Sequence, residues 1–114
     1  MLVPIPLHPT RLRERGYNQS ALIAERLTLT LGIPTVQHGL ERARHTLRQS
    51  ELGQKERFTN MHDAFKITAP STFSGRKILL VDDLLTTGAT ASAAAQALKK
   101  AGAAQVGVLT LAIA

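Results

Sequence analysis

The 114-residue sequence has no cysteine and no tryptophan, and aromatic residues make up only 4% of it. The absence of cysteine excludes a disulfide framework or a thiolate zinc site within these residues. No apolar run approaches the roughly 20 residues needed to cross a bilayer. The opening ten residues contain three prolines and no basic stretch ahead of the apolar residues, unlike a signal peptide. We therefore expect one cytoplasmic domain, spanning residues 1–114.

Positive charge is unevenly distributed along the chain. The formal net charge is +6, and eight of the nine arginines fall between residues 11 and 57, in the groups Arg11, Arg13, Arg15 and Arg42, Arg44, Arg48. Such groups also occur on plain solvated surfaces. Arginine suits bidentate contact with phosphate, whereas a nucleic-acid surface usually adds aromatic stacking partners, which are scarce here. A phosphorylated small molecule therefore fits better.

The first part of the chain predicts a strand followed by a helix. Leu2–Leu7 is a short apolar segment whose prolines place it at a sheet edge or strand end. Residues 8–19 form a predicted basic loop. Asn18 is a good N-cap, and apolar residues at helical spacing continue to a stop at Gly32. A weak strand is predicted around Thr35–Leu40.

The middle of the chain has few apolar residues. Arg44–Phe65 is predicted to be a long mobile loop with a short helix around Leu52–Phe58, and loops of this length in compact domains are often functional lids. Ala64–Thr68 can return as a strand, and residues 69–75 form a turn region.

The last third predicts a parallel β-α-β unit. Lys77–Val81 is a continuous apolar strand, Thr90–Gly102 an alanine-rich helix and Gln105–Ala114 a second apolar strand. Strands that are apolar throughout predict a sheet covered on both faces. The order of elements places the chain in the α/β class.

The stretch KILLVDDLLTTGAT, Lys77 to Thr90, carries the chemistry. Ligands of parallel sheets collect outside the carboxyl ends of strands, where Asp82 and Asp83 lie. Backbone N–H groups at a helix start, a glycine and threonine hydroxyls suit a phosphate. Each hydrogen bond to a charged group contributes about 1.5 to 3 kcal/mol. The aspartates would repel phosphate and suit sugar hydroxyls or magnesium, so the pattern predicts a ribose 5-phosphate site.

The same stretch has other interpretations. In a purely structural one, Thr86 is a helix N-cap and the aspartates are a polar strand end. A response-regulator receiver needs a further aspartate one strand later, but no Asp or Glu follows Asp83. A P-loop NTPase needs G-x-x-x-x-G-K-[ST], which occurs nowhere in the sequence. The last two classes are excluded.

ILLVDDLLTTGAT resembles the phosphoribosyl pyrophosphate (PRPP) binding motif of type I phosphoribosyltransferases. VPIPLHPTRLRERGYNQS, RHTLRQSELGQKERFTNMHDAF and GAAQVGVLTLA extend the resemblance to the ComF (GntX-like) family, over essentially the whole chain. It implies a three-layer α/β/α fold with a mainly parallel, twisted sheet. It also implies that a nitrogen base displaces pyrophosphate from PRPP with the help of Mg²⁺.

The resemblance implies roles for individual residues. Asp82 and Asp83 would form the catalytic pair, contacting the ribose hydroxyls, with magnesium nearby. The 5-phosphate would be held by Thr86, Thr87, Gly88, Ala89 and Thr90. The pyrophosphate would meet the loop after the first strand and a flexible loop over Arg44–Asn60, with the candidates Arg11, Arg13, Arg15, Arg44, Gln49 and Arg57.

ComF-family proteins usually carry a cysteine-rich region ahead of the point where this sequence begins. We therefore expect the fold to be truncated at its N-terminus. Two functions stay open: a phosphoribosyltransferase, and a non-catalytic PRPP- or nucleotide-sensing module that assists DNA uptake or utilisation with the competence machinery. The acceptor nucleobase and the formation of a homodimer also stay open.

Overall fold

The computed structural model describes residues 1–43 and 64–113. Their helices and strands follow the order β1 (Leu2–Pro4), α1 (Pro9–Arg15), α2 (Gln19–Leu31), β2 (Leu40–Arg42), β3 (Phe65–Ile67), α3 (Pro70–Phe73), β4 (Lys77–Leu85), α4 (Ala89–Lys100) and β5 (Gln105–Ile113). No helix in these ranges is both long and apolar enough to span a membrane. The predicted α/β class is confirmed.

The main sheet has the strand order β1-β4-β5, and both pairings are parallel. Val3 lies opposite Leu80, and Leu79 lies opposite Gly107. On the other side of β1, Thr35 forms a single parallel bridge with Leu2. The predicted parallel β-α-β arrangement at the end of the chain is thus confirmed.

Helices cover the two faces of this sheet. Successive residues of a strand point to opposite faces, and in β4 the buried Leu80 and Val81 belong to different apolar clusters. Leu80 packs in the cluster that includes Leu98 of α4, while Val81 packs in the one that includes Ala24 of α2. This is the three-layer α/β/α arrangement that the family resemblance implies.

A second, two-stranded sheet is formed by β2 and β3, which pair antiparallel. Leu40 and Phe65 are buried in the same cluster as Leu80, and β3 contacts α4. In the register of this pair, Arg42 lies directly opposite Phe65. The predicted strand within Ala64–Thr68 is therefore confirmed.

The predicted basic loop over residues 8–19 is partly wrong, because its first half is helix α1. Pro9 occupies the first turn, and Nδ1 of His8 accepts a hydrogen bond from the Thr10 N–H at 3.1 Å. Gly16 ends the helix in the left-handed region, with φ of 86°. No residue of α1 is buried, so the apolar spacing that identifies α2 is missing here.

Two predicted strands are shorter than expected. β1 ends at Pro4 rather than Leu7. Of the weak strand predicted around Thr35–Leu40, the structure contains only the bridge at Thr35 and the first residue of β2, Leu40. Proline explains the first result, because Pro4 and Pro6 have no N–H group to donate to a neighbouring strand.

The prediction that the apolar strands are covered on both faces is wrong for the end of β5. Leu111 is 70% exposed and Ile113 is 77% exposed. Helix α2 packs on β1 and β4, whereas these two residues lie at the carboxyl end of the outer strand β5. An apolar run therefore shows that a strand can be buried on both faces, but not that every residue is.

Candidate functional site

The site lies where β1 and β4 end side by side. The Ile5 N–H donates to the Val81 carbonyl at 2.9 Å, just past the last paired residues of the two strands, Pro4 and Val81. Beyond that bond the chain leads from β1 to α2 on one face, and from β4 to α4 on the other. This divergence is a topological switch point, where open α/β sheets bind their ligands.

A cavity of about 290 Å³ occupies this crevice. It is polar on several sides, with acidic, basic and amide groups brought together from both halves of the chain. Its lining residues are Ile5, Leu7, His8, Arg11, Arg15, Asn18, Gln19, Ser20, Arg42, Asp82, Asp83, Leu84 and Thr90. The cavity therefore joins the acidic pair of the motif to the first of the two arginine groups.

The two aspartates lie within β4, not after it. The predicted strand end at Val81 is wrong because β5 continues to pair alongside, with Thr110 opposite Asp82. Both carboxylates are half-buried, and the Asp83 N–H donates to Oδ1 of Asp82 at 3.0 Å. Rigid strand backbone thus fixes both side chains at the cavity wall.

The electrostatics of Asp82 differ from those of a surface carboxylate. The pKa of Asp82 is raised to about 6, chiefly by burial and then by the neighbouring Asp83 side chain, while the Asp83 N–H and Arg42 act in the opposite direction. At neutral pH the group is ionised but incompletely compensated. It can therefore gain from a hydroxyl donor or a cation brought by a ligand.

The phosphate turn, Thr86–Thr90, connects β4 to α4. Gly88 is the N-cap, with φ of 81° and no side-chain cap hydrogen bond, so the alternative in which Thr86 caps the helix is wrong. The Ala89 N–H donates to Oγ1 of Thr87 at 3.2 Å. Ala89 itself is buried.

The structure brings only part of the phosphate turn to the cavity. Thr90 lines it, and Asp82 and Asp83 line the same cavity. The remaining four residues, Thr86 to Ala89, form the turn that leads to Thr90 and are not among the lining residues. Their contact with a 5-phosphate stays a prediction.

The arginines of α1 divide between the cavity and solvent. Arg11 and Arg15, one helical turn apart, line the cavity, whereas Arg13 does not. Nη1 of Arg15 donates to Oε1 of Gln19 at 3.0 Å. Arg11 and Arg15 both line the cavity because this segment is a helix, in which residues four apart lie on the same face.

Three further candidates, Arg44, Gln49 and Arg57, lie outside the described residues. The same holds for nearly all of the predicted long loop and for its short helix. Their contribution to the site stays a prediction.

Arg42 is a site residue that the sequence interpretation did not select. Its Nε donates to the Pro6 carbonyl at 3.2 Å, and its guanidinium carbon lies 4.8 Å from the centre of the Phe65 ring. Burial lowers its pKa, Asp82 raises it and Arg11 lowers it, although an arginine stays charged at any physiological pH. Two sequence features could have identified Arg42 as a site residue: it belongs to the second arginine group, and it lies next to a predicted strand.

The acidic pair fits a magnesium ion only in part. Within residues 1–43 and 64–113, no three His, Asp or Glu side chains gather as a metal site. Mg²⁺ commonly binds one or two carboxylates and completes its shell with water and substrate phosphates. Asp82 and Asp83 therefore fit an ion that arrives with a phosphorylated ligand.

A protein-family model described as "Phosphoribosyl transferase domain" matches residues 17–113. The chain belongs to this family. The match includes β4 with the two aspartates, the phosphate turn and Arg42, but not β1. It begins after α1, so the family model leaves Arg11 and Arg15 outside.

Three curated relatives confirm the resemblance to ComF proteins. Competence protein F of Haemophilus influenzae is 36% identical over 97% of this chain and 49% of its own length. DNA utilization protein YhgH of Escherichia coli K12 is 36% identical over 96% of this chain and 48% of its length. Competence protein ComFC of Bacillus subtilis is 38% identical over 97% and 43%. The chain thus spans about half the length of these relatives.

Proposed function

We propose that this phosphoribosyltransferase-family chain binds PRPP together with Mg²⁺ and displaces its pyrophosphate with a nitrogen base. The observation that carries the proposal is the cavity at the switch point. It combines Asp82 and Asp83 with the helix start at Thr90 and with arginines from two other elements. A sugar that bears one anionic group at each end matches this division of charge.

In the proposed complex, the carboxylates of Asp82 and Asp83 accept hydrogen bonds from the ribose hydroxyls. The 5-phosphate lies at the phosphate turn, where N–H groups of the first turn of α4 and threonine hydroxyls can donate to it. A Cβ at Gly88 would meet no protein atom within 4 Å. The space in front of the turn is open to a ligand.

Catalysis requires the bond between the anomeric carbon and the pyrophosphate oxygen to break, while a bond to the base nitrogen forms. Bound magnesium would neutralise the leaving pyrophosphate. Arg11 and Arg15 supply positive charge for the same group, and positive charge placed where negative charge develops lowers the barrier. The acidic pair holds the ribose, which becomes more positive as the bond breaks.

A second candidate function has support from the relatives. Their names refer to competence and to DNA utilization. We therefore also propose a non-catalytic alternative, in which PRPP or a nucleotide binds at the same cavity and the chain assists DNA uptake or utilisation. In this alternative the ligand regulates the protein and is not consumed.

An assay of pyrophosphate release separates the two candidates. The full chain is incubated with PRPP, Mg²⁺ and each of a panel of nucleobases, and Asp83→Asn serves as the inactive control. Release above that control with at least one base supports catalysis. PRPP binding with no release for any base contradicts catalysis and favours the sensing function.

A further inference from the structure

The cavity has a second polar wall, at the carboxyl end of β1. Nδ2 of Asn18 donates to the Ile5 carbonyl at 3.0 Å, and Nε of Arg42 donates to the next carbonyl, that of Pro6, at 3.2 Å. Two separate elements, the start of α2 and the end of β2, are therefore tied to consecutive residues. The wall they build does not depend on α1.

Arg42 is fixed in this wall but has unused donors. The ring of Phe65, opposite in the strand register, lies 4.8 Å from its guanidinium carbon, a distance typical of a cation–π contact. Among the described residues, nothing accepts a hydrogen bond from its Nη1 or Nη2. Both groups can therefore donate in parallel to one phosphoryl group.

Ser20 offers an unused hydroxyl in the same wall. It lines the cavity, is 4% exposed, and its hydroxyl has no hydrogen-bond partner in the described part of the chain. Its backbone N–H is already taken by Oδ1 of Asn18 at 3.0 Å. A buried hydroxyl without a partner is costly, and the helix start around it favours an anion. A negatively charged ligand oxygen could accept a hydrogen bond from this hydroxyl and would also be favoured by the helix start.

We propose that Arg42 and Ser20 are specificity-determining residues that bind the anionic group at the anomeric end of the ligand. They would make the site prefer PRPP to ribose 5-phosphate, which lacks the diphosphate. The inference rests on the proposed function, because it assumes that the 5-phosphate occupies the phosphate turn. It adds residues from α2 and β2 to the arginines of α1.

Calorimetric titration with PRPP and with ribose 5-phosphate, both with Mg²⁺, tests the inference. We expect Arg42→Met to weaken PRPP binding at least about thirtyfold and Ser20→Ala about tenfold, as for lost hydrogen bonds to a charged group. Binding of ribose 5-phosphate should change less than about twofold in either variant. Arg42→Lys keeps the charge without the fork and should show an intermediate loss.

Arg76→Met is the matched control, because it removes the same charge just before β4, at the opposite end of the strand from the cavity. It should bind both ligands like wild type, and thermal unfolding of each variant verifies that it is folded. If Arg42→Met is unfolded, Ser20→Ala and Arg42→Lys decide the question. Equal weakening of both ligands, or none, overturns the inference alone, whereas a wild type that binds neither ligand overturns the proposed function as well.

Discussion

Asp82 combines a structural cost with its proposed role at the ribose. A carboxyl group whose pKa rises on folding, here from 3.8 to about 6, releases its proton more readily in the unfolded chain. Its contribution to stability therefore falls as the pH rises from about 4 through about 6. Between neutral and mildly alkaline pH the folded protein bears the full cost.

Asp82→Asn should therefore stabilise the free protein at pH 7.5 while weakening PRPP binding. The amide oxygen can still accept the hydrogen bond from the Asp83 N–H. After allowance for solvent screening we expect a gain of about 1 kcal/mol, or a rise of roughly 4 °C in the melting temperature. Thermal unfolding followed by circular dichroism measures it.

The pH dependence provides the control for this substitution. At pH values well below 3.8, Asp82 is protonated in both states, so the stability difference between variant and wild type should disappear. A difference of equal size at both pH values would contradict the titration of Asp82 as its cause.

Among the elements, two glycine substitutions can distinguish the role of the phosphate turn in ligand binding from the strain that a side chain causes at positive φ. Gly88 and Gly32 both have positive φ, of 81° and 73°, and an added Cβ would meet nothing within 4 Å at either position. Gly88 is the N-cap of α4, two residues before the cavity-lining Thr90, whereas Gly32 is the C-cap of α2. The two glycines therefore differ mainly in what lies in front of them.

Gly88→Ala and Gly32→Ala should each lower the free energy of unfolding by about 1 to 2 kcal/mol, the cost of a side chain in the left-handed region. Only Gly88→Ala should also weaken PRPP binding, by roughly tenfold, because its Cβ enters the space for the 5-phosphate. Denaturant unfolding and calorimetry measure the two effects. Equal losses of affinity in both variants would remove the phosphate turn from the site.

The elements also show how far the sequence could be interpreted. Helix α2 was predictable because Asn18 and Gly32 mark the two ends of a segment with apolar residues at helical spacing. Helix α1 was not, because nothing in it is buried, although His8, Pro9 and Gly16 mark its ends. The extension of β4 through Asp82 depends on pairing with β5, a contact between distant residues that no local pattern encodes.

Some residues of the candidate site could likewise be predicted from the sequence, and others could not. The acidic pair and the phosphate turn are consecutive in sequence and could be found as a motif. Arg42 and Ser20 are far apart in the chain. Arg42 donates to the Pro6 carbonyl, and the helix start that contains Ser20 is tied to the Ile5 carbonyl through Asn18. Their role depended on knowing which side chains lack partners, which requires the folded structure.

At the scale of the whole molecule, the net charge of +6 should affect the affinity for a highly anionic ligand. The Debye length falls from about 10 Å at 0.1 M salt to about 3 Å at 1 M. We expect PRPP binding to weaken roughly tenfold over this range, and ribose 5-phosphate binding to weaken less because it carries fewer charges. Affinity for PRPP that is independent of salt would contradict an electrostatic contribution from the arginines.

Binding of PRPP with magnesium in the cavity between β1 and β4 can be measured by isothermal titration calorimetry. The full chain is titrated with PRPP in the presence of Mg²⁺ and again with a chelator. We expect saturable binding of one PRPP per chain, lost with the chelator and in Asp83→Asn. No heat at millimolar PRPP with Mg²⁺ would contradict it.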